Sequence, residues 1–224
     1  MIESSSGRYF GPERTDSFRF GGRAIRVAAP ADPDRLLDDP SVLARNAADG
    51  YAPYWAQHWP GAFLLAEVVA ERSLIAGTRA IEIGCGLGLA GLVALGRELF
   101  VHFTDYDDAP FAYIEKSVAL SGLDASRMTA ERLDWRFPPD IRYPLVLGAD
   151  LLYETANAPV LAGLIAAILE PGGEALLTTP FRVAAQRLEP IWAERGLSAI
   201  PTAVAAKNAD GRPIEGTLWT IKLK

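Results

Sequence analysis

Glu82-Ile83-Gly84-Cys85-Gly86-Leu87-Gly88-Leu89-Ala90-Gly91 is the stretch that decides the fold. A β-rich run, Arg79 to Ile83, leads into it, and a helical pattern from Gly88 to Leu99 leads out. The glycines therefore sit where a strand turns into a helix, and there they let the backbone approach a ligand closely. Asp105 lies about 20 residues further on, at the end of the next expected strand, where a carboxylate can accept both hydroxyls of a ribose. Gly loop and acid together read as a site for a nucleoside-bearing cofactor.

Working outward, short β-rich runs alternate with helical patterns from Arg79 to Pro180, the sequence form of βαβ units and a mostly parallel sheet. Further strands are expected over Phe100 to Thr104, Met128 to Leu133, Leu145 to Ala149 and Glu174 to Thr179. Helices are expected over Ala109 to Leu120, with Pro110 in its first turn, and over Asn157 to Leu169, which stops at Pro171-Gly172-Gly173. Beyond Pro180 come a helix from about Val183 to Arg195, a strand from Leu197 to Ala205, a polar loop over 207–216 and a strand from Thr217 to Lys224. The last two strands form an antiparallel hairpin at one side of the sheet. The fold class is thus α/β, Rossmann-like, seven-stranded and flanked by helices.

Ahead of this core, Ser17 to Phe20 and Arg23 to Val27 flank Gly21-Gly22, a hairpin signal. A Pro-rich connection follows, then the aromatic cluster Tyr51, Tyr54, Trp55 and Trp59, then a helix from Gly61 to Arg72. Residues 1–50 read as an extension carrying a hairpin, and 51–224 as one catalytic-type domain.

Composition narrows the chemistry. The 224 residues are 50% hydrophobic and 22% charged, as expected for a globular chain with a large core. One Cys and two His cannot supply an internal disulfide or a usual zinc site, so no metal is expected. A net charge of −6 gives no global basic footprint for nucleic acid. The longest uncharged apolar stretch, Thr155 to Leu169, is shorter than the ~20 residues that span a bilayer, and the N-terminus lacks a secretory pattern. The expectation is a cytoplasmic monomer with neither nucleic-acid nor membrane partner. Arg8, Arg14, Arg19, Arg23 and Arg26 form the best basic patch, more simply read as a solvated face.

Gly86-x-Gly88-x-x-Gly91 also satisfies the dinucleotide fingerprint. Glu82 weighs against that reading, because a carboxylate beside the loop suits a sulfonium amino acid with its α-ammonium and not a pyrophosphate. Pro171-Gly172-Gly173 before a strand and the C-terminal hairpin weigh the same way. The sequence resembles the seven-β-strand methyltransferases that use S-adenosylmethionine, in particular the methyltransferase-like group of protein-lysine methyltransferases. The resemblance covers about Tyr51 to Pro180. It rests on Pro53-Tyr-Trp-Ala-x-x-Trp59-Pro-Gly, Glu82 to Gly91, Thr104-Asp105-Tyr106-Asp107, Leu133-Asp134-Trp135 and Asp150-Leu-Leu-Tyr153.

The resemblance implies a cofactor, S-adenosylmethionine, and roles for named residues. Gly84, Gly86 and Gly88, with Glu82 and Cys85, would line the methionine and ribose portion. Asp105 would bind the ribose hydroxyls, and Tyr106 would offer its ring to the adenine. Asp134 could accept from the adenine amino group, with Trp135 packed beside it, while Trp59 and the Ala149 backbone would close the methionine side. Asp150 and Tyr153 would face the methyl group and orient an incoming amine. The acceptor is then a protein lysine, or alternatively a small-molecule amine or ring nitrogen; a cofactor-binding scaffold without catalysis is the alternative from another class. Blander readings stand beside these: Cys85 as a small filler, Trp135 and Tyr153 as packing, Asp107 or Asp108 as the cap of the helix at Ala109, and the aromatic cluster as core or lid packing.

Overall fold

The computed structural model describes residues 11–152, 157–180 and 188–224. Strands β1 (Glu13–Phe20) and β2 (Arg23–Pro30) pair antiparallel across Gly21-Gly22, both at positive φ, as a two-residue hairpin turn requires. After α1 (Pro40–Asp49) and α2 (Pro60–Glu71) come β3 (Arg79–Ile83), α3 (Leu89–Gly96), β4 (Phe100–Asp105), α4 (Ala109–Leu120) and β5 (Met128–Arg132). The chain continues through β6 (Tyr143–Ala149), α5 (Ala158–Ile168), β7 (Leu169–Pro180), α6 (Glu189–Glu194), β8 (Leu197–Lys207) and β9 (Pro213–Leu223).

The seven-stranded sheet runs β5-β4-β3-β6-β7-β9-β8, parallel except for β9, which is antiparallel to both its neighbours. Because the chain winds from β3 to β4 and β5 on one side and returns to β6 on the other, the switch point lies at β3. Open α/β sheets bind ligands there, outside the carboxyl ends of the strands. Side chains alternate between two apolar layers: Ala80, Leu145, Leu147 and Leu176 join Phe63, Leu92 and Ile114 on one face, while Ile81, Ile83, Val146 and Leu177 join Leu164, Trp192 and Trp219 on the other.

The expected fold is the observed one, and the elements differ at their margins for physical reasons. The Pro-rich connection holds a 3-10 helix, Pro33–Asp38, and α1, whose start is capped by Asp39 accepting from Ser41 N (2.8 Å), and whose end is Gly50 in the left-handed region. Pro171-Gly172-Gly173 does not precede β7 but forms an irregularity inside it, between the pairs Tyr143↔Leu169 and Leu145↔Glu174. The final hairpin is longer than expected and closes over 208–212. Of the helix expected over Val183 to Arg195, Glu189–Glu194 is helical, and 183–187 lie outside the described residues.

The N-terminal hairpin is tied onto the domain. Ser117 Oγ accepts from Ala28 N (2.9 Å), Arg23 donates to the Gly96 carbonyl (3.1 Å), Arg26 to that of Leu120 (3.4 Å), and Lys116 pairs with Glu13 (2.6 Å). Arg14 and Arg19 bond Asp16 and the Gly22 carbonyl. Arg23 and Arg26 are thus tethers, and Arg14 and Arg19 make bonds within the hairpin; Arg8 lies outside the described residues.

Candidate active site

The glycine loop leaves β3 and enters α3 with Gly84, Gly86 and Gly88 all in the left-handed region, at φ of 59°, 51° and 73°. Any side chain would be strained there. Space is equally restrictive at Gly84, where a Cβ would stand 2.7 Å from Leu151 Cδ2 and 3.2 Å from the Trp135 ring. Cys85 is buried in the turn and its backbone N–H reaches the Thr104 carbonyl (2.9 Å), pinning the loop to β4. Burial pushes its thiol well up, so it is a packed neutral group and no nucleophile.

Two carboxyls organise the loop from below and beside. Glu82 is 2% exposed and accepts from Gly91 N (3.0 Å), in the first turn of α3. Burial, opposed by that N–H, pushes it up to about 8. Asp105 ends β4 and accepts from Gly86 N through one oxygen (2.8 Å) and Asp107 N through the other (3.1 Å). Burial raises it to about 6, against the pull of those N–H groups. Its carboxyl thus stands at the switch point, held against the glycine loop by two backbone donors.

The other expected residues that are described lie at the ends of β4, β5 and β6 and at the start of α2. Tyr106 follows Asp105 and is exposed, with the Arg132 guanidinium 5.1 Å from its ring centroid. Beyond β5, Asp134 accepts from Arg136 Nε (2.9 Å), a pairing that holds its carboxyl below the usual range. Trp135 packs under Gly84. Trp59 donates to the Tyr54 carbonyl (2.7 Å) and meets that ring edge to face. Ala149 closes β6.

Asp150 comes next, in the left-handed region at φ 55°. One carboxylate oxygen accepts from Gly61 N (2.6 Å) in the first turn of α2, and Thr178 Oγ1 donates to the Gly61 carbonyl (2.7 Å). A carboxylate at a helix N-terminus is favoured by the unsatisfied N–H groups there. Tyr153 lies outside the described residues.

The structure gives some residues contacts that the sequence reading did not expect. Asp107 is not a cap for α4: buried, it accepts from Arg45 Nη1 (3.0 Å) and from the Tyr51 hydroxyl, and Asp108 at the N-cap makes no side-chain cap bond. The spacing of Arg45, Tyr51 and Asp107 carries no local signal, since 62 positions separate the first from the last. His58 bonds Asp16 (2.9 Å) and packs against the rings of Phe18 and Phe63, fastening β1 to the segment before α2.

The left-handed glycines and the buried Asp105 carboxyl held against them stand together at the switch point of the sheet, and residues 54–187 match the family described as lysine methyltransferase. The chain belongs to the lysine methyltransferase family. Within that setting it is 25% identical over 154 residues to a protein named histidine protein methyltransferase 1 homolog, from Dictyostelium discoideum, covering 66% of this chain and 48% of that protein. It is 27% identical over 133 residues to the electron transfer flavoprotein beta subunit lysine methyltransferase of Xenopus laevis, covering 58% of this chain and 53% of the other. The chain therefore spans about half the length of these relatives. Among solved structures, the glycopeptide N-methyltransferase MtfA complexed with S-adenosylmethionine superposes with a TM-score of 0.59 at 16% identity, over 73% of this chain and 94% of that one. At that identity the likeness is one of fold.

Proposed function

We propose that this family member is an S-adenosylmethionine-dependent N-methyltransferase acting on a protein lysine. The observation that carries the reading is the Asp105 carboxyl, bonded 2.8 Å from Gly86 N at the switch point of a chain of this family. The residues present fit the cofactor: Gly84, Gly86 and Gly88, in the left-handed region, carry no side chain at three positions of the loop, and Asp105 offers lone pairs to vicinal hydroxyls. Tyr106 offers an exposed ring for the adenine face; Asp134 and Trp135 border the same edge. Glu82, Cys85, Trp59 and Ala149 complete the methionine side, Glu82 by shaping the loop through Gly91 N.

When bound, S-adenosylmethionine supplies an electrophilic methyl on a sulfonium. What the protein must contribute is alignment and a deprotonated amine. Desolvation on entry to the site would disfavour the ammonium form of an incoming lysine, because burial penalises the charged state. Asp150, at the carboxyl edge and anchored on Gly61 N, would accept a hydrogen bond from that amine and aim its lone pair; Tyr153 is assigned the same work. The relative named for histidine makes a protein imidazole nitrogen the second reading. Among the described residues no helix is long and apolar enough to cross a membrane. We place the protein in the cytoplasm as a monomer without nucleic-acid partner, the last in keeping with its net charge of −6.

The test is transfer of radiolabelled methyl from S-adenosylmethionine into a lysate, followed by separation of protein from small molecules and acid hydrolysis of the protein. Labelled Nε-methyllysine is the expected product. Labelled methylhistidine would move the assignment to the second reading, label confined to small molecules would remove the protein acceptor, and no transfer despite bound cofactor would leave a scaffold.

A further inference from the structure

Helix α1 belongs to the N-terminal extension, yet its Arg45 reaches the loop that follows Asp105. The Arg45 guanidinium lies 3.4 Å from the centroid of the Tyr51 ring and donates to Asp107 Oδ1 at 3.0 Å. The Tyr51 hydroxyl donates to Asp107 Oδ2. Burial and the neighbouring Asp107 both push the phenol up, so it remains a neutral donor throughout the working pH range. Asp107 in turn is 6% exposed, and a carboxylate removed from water needs such partners. Its own backbone N–H donates to Asp105 Oδ1 at 3.1 Å, while Gly86 N holds Oδ2 at 2.8 Å.

The contacts form one continuous chain: α1 and Tyr51 fix the Asp107 side chain, that side chain fixes its backbone, and the backbone N–H fixes one oxygen of Asp105. We infer that Arg45 and Tyr51 are positioning residues of the cofactor site, acting through Asp107 to set the Asp105 carboxyl against the glycine loop. The inference rests on the reading of Asp105 as the ribose ligand. It makes the extension a working part of the cofactor site, and thermodynamic reciprocity then requires bound cofactor to hold α1 in place.

The test is calorimetric affinity of the full chain for S-adenosylhomocysteine, measured for Arg45→Met, Tyr51→Phe and each of these in an Asp105→Asn background. Lys116→Met serves as a control, since it cuts another tie of the extension, the Glu13 pair, away from this site. Arg45→Met and Tyr51→Phe are expected to weaken binding about fivefold or more, within the usual range of coupling between sites. Their effects should shrink towards none once Asp105 is replaced, and Lys116→Met should leave affinity unchanged. Amide exchange should also show α1 protected by S-adenosylhomocysteine in the parent and not in Arg45→Met. Equal losses in both Asp105 backgrounds, or no loss while Asp105→Asn itself weakens binding, would overturn the positioning role. If Asp105→Asn leaves affinity untouched, the ribose reading fails instead, and the inference with it.

Discussion

Asp105 and Glu82 show how single residues here are tuned by what buries them. In Asp105, raised to about 6, the ionised form is the one that ribose hydroxyls would bond. Binding therefore favours proton release, so affinity for S-adenosylhomocysteine should rise with pH up to about 6 and level off above it. Calorimetry across pH 5 to 8 checks this, and Asp105→Asn should flatten the profile and lower affinity about tenfold, the loss expected for one charge-assisted hydrogen bond. Glu82, raised to about 8, bears on stability instead of on binding. Its folded value exceeds its unfolded one, so the fold binds the extra proton and loses stability as pH climbs from about 4.5 to about 8. Melting temperatures of the parent should fall across that window more steeply than those of Glu82→Gln. At Gly91 a Cβ would collide with the Phe103 ring and the Glu82 carboxyl. Gly91→Ala should cost about 1–3 kcal/mol in urea denaturation.

At the scale of elements, β6, α2 and β7 meet around Asp150, the edge proposed to receive the acceptor. Asp150 N donates to the Thr178 carbonyl (2.9 Å) while its carboxylate holds Gly61 N, so the acid proposed to orient the acceptor also fastens the start of α2. Asp150→Ala should then lower stability by about 1 kcal/mol in urea titration without ligand, the usual worth of a helix N-terminal carboxylate. No change in that titration would mean the carboxylate does not support α2. If Asp150→Asn and Tyr153→Phe bound cofactor normally and kept full turnover, neither would have the orienting role. Elements also mark where sequence reading stops. The strand–glycine–helix turn was legible because its signal is local, in residues 82–91. Helix α1 carried local signals too, Asp39 before Pro40 and Gly50 after Asp49, but the prolines around them suggested a connection. The Arg45 to Asp107 tie was illegible, since it exists only once α1 lies beside the end of β4.

For the whole molecule, sheet order explains why the chemistry gathers at one edge. Glu82, Asp105 and Asp150 belong to different strands or strand ends, and the reversal at β3 brings their carboxyl ends together. The parallel core was expected from alternating β-rich and helical runs, the hairpin at its side from two adjacent strands around a polar loop, and the separate N-terminal sheet from the Gly21-Gly22 turn. Packing of the extension across the domain was not, because ties such as Ala28 to Ser117 and His58 to Asp16 depend on tertiary placement. The acidic composition gains a location as well, with carboxyls bordering the edge where a cationic cofactor and a basic acceptor would meet. The most direct measurement is calorimetric titration of the full chain with S-adenosylmethionine and, separately, with NAD. Saturable binding of S-adenosylmethionine, weakened about tenfold by Asp105→Asn, with no binding of NAD, is the predicted result; binding of NAD alone, or S-adenosylmethionine affinity indifferent to Asp105→Asn, would contradict it.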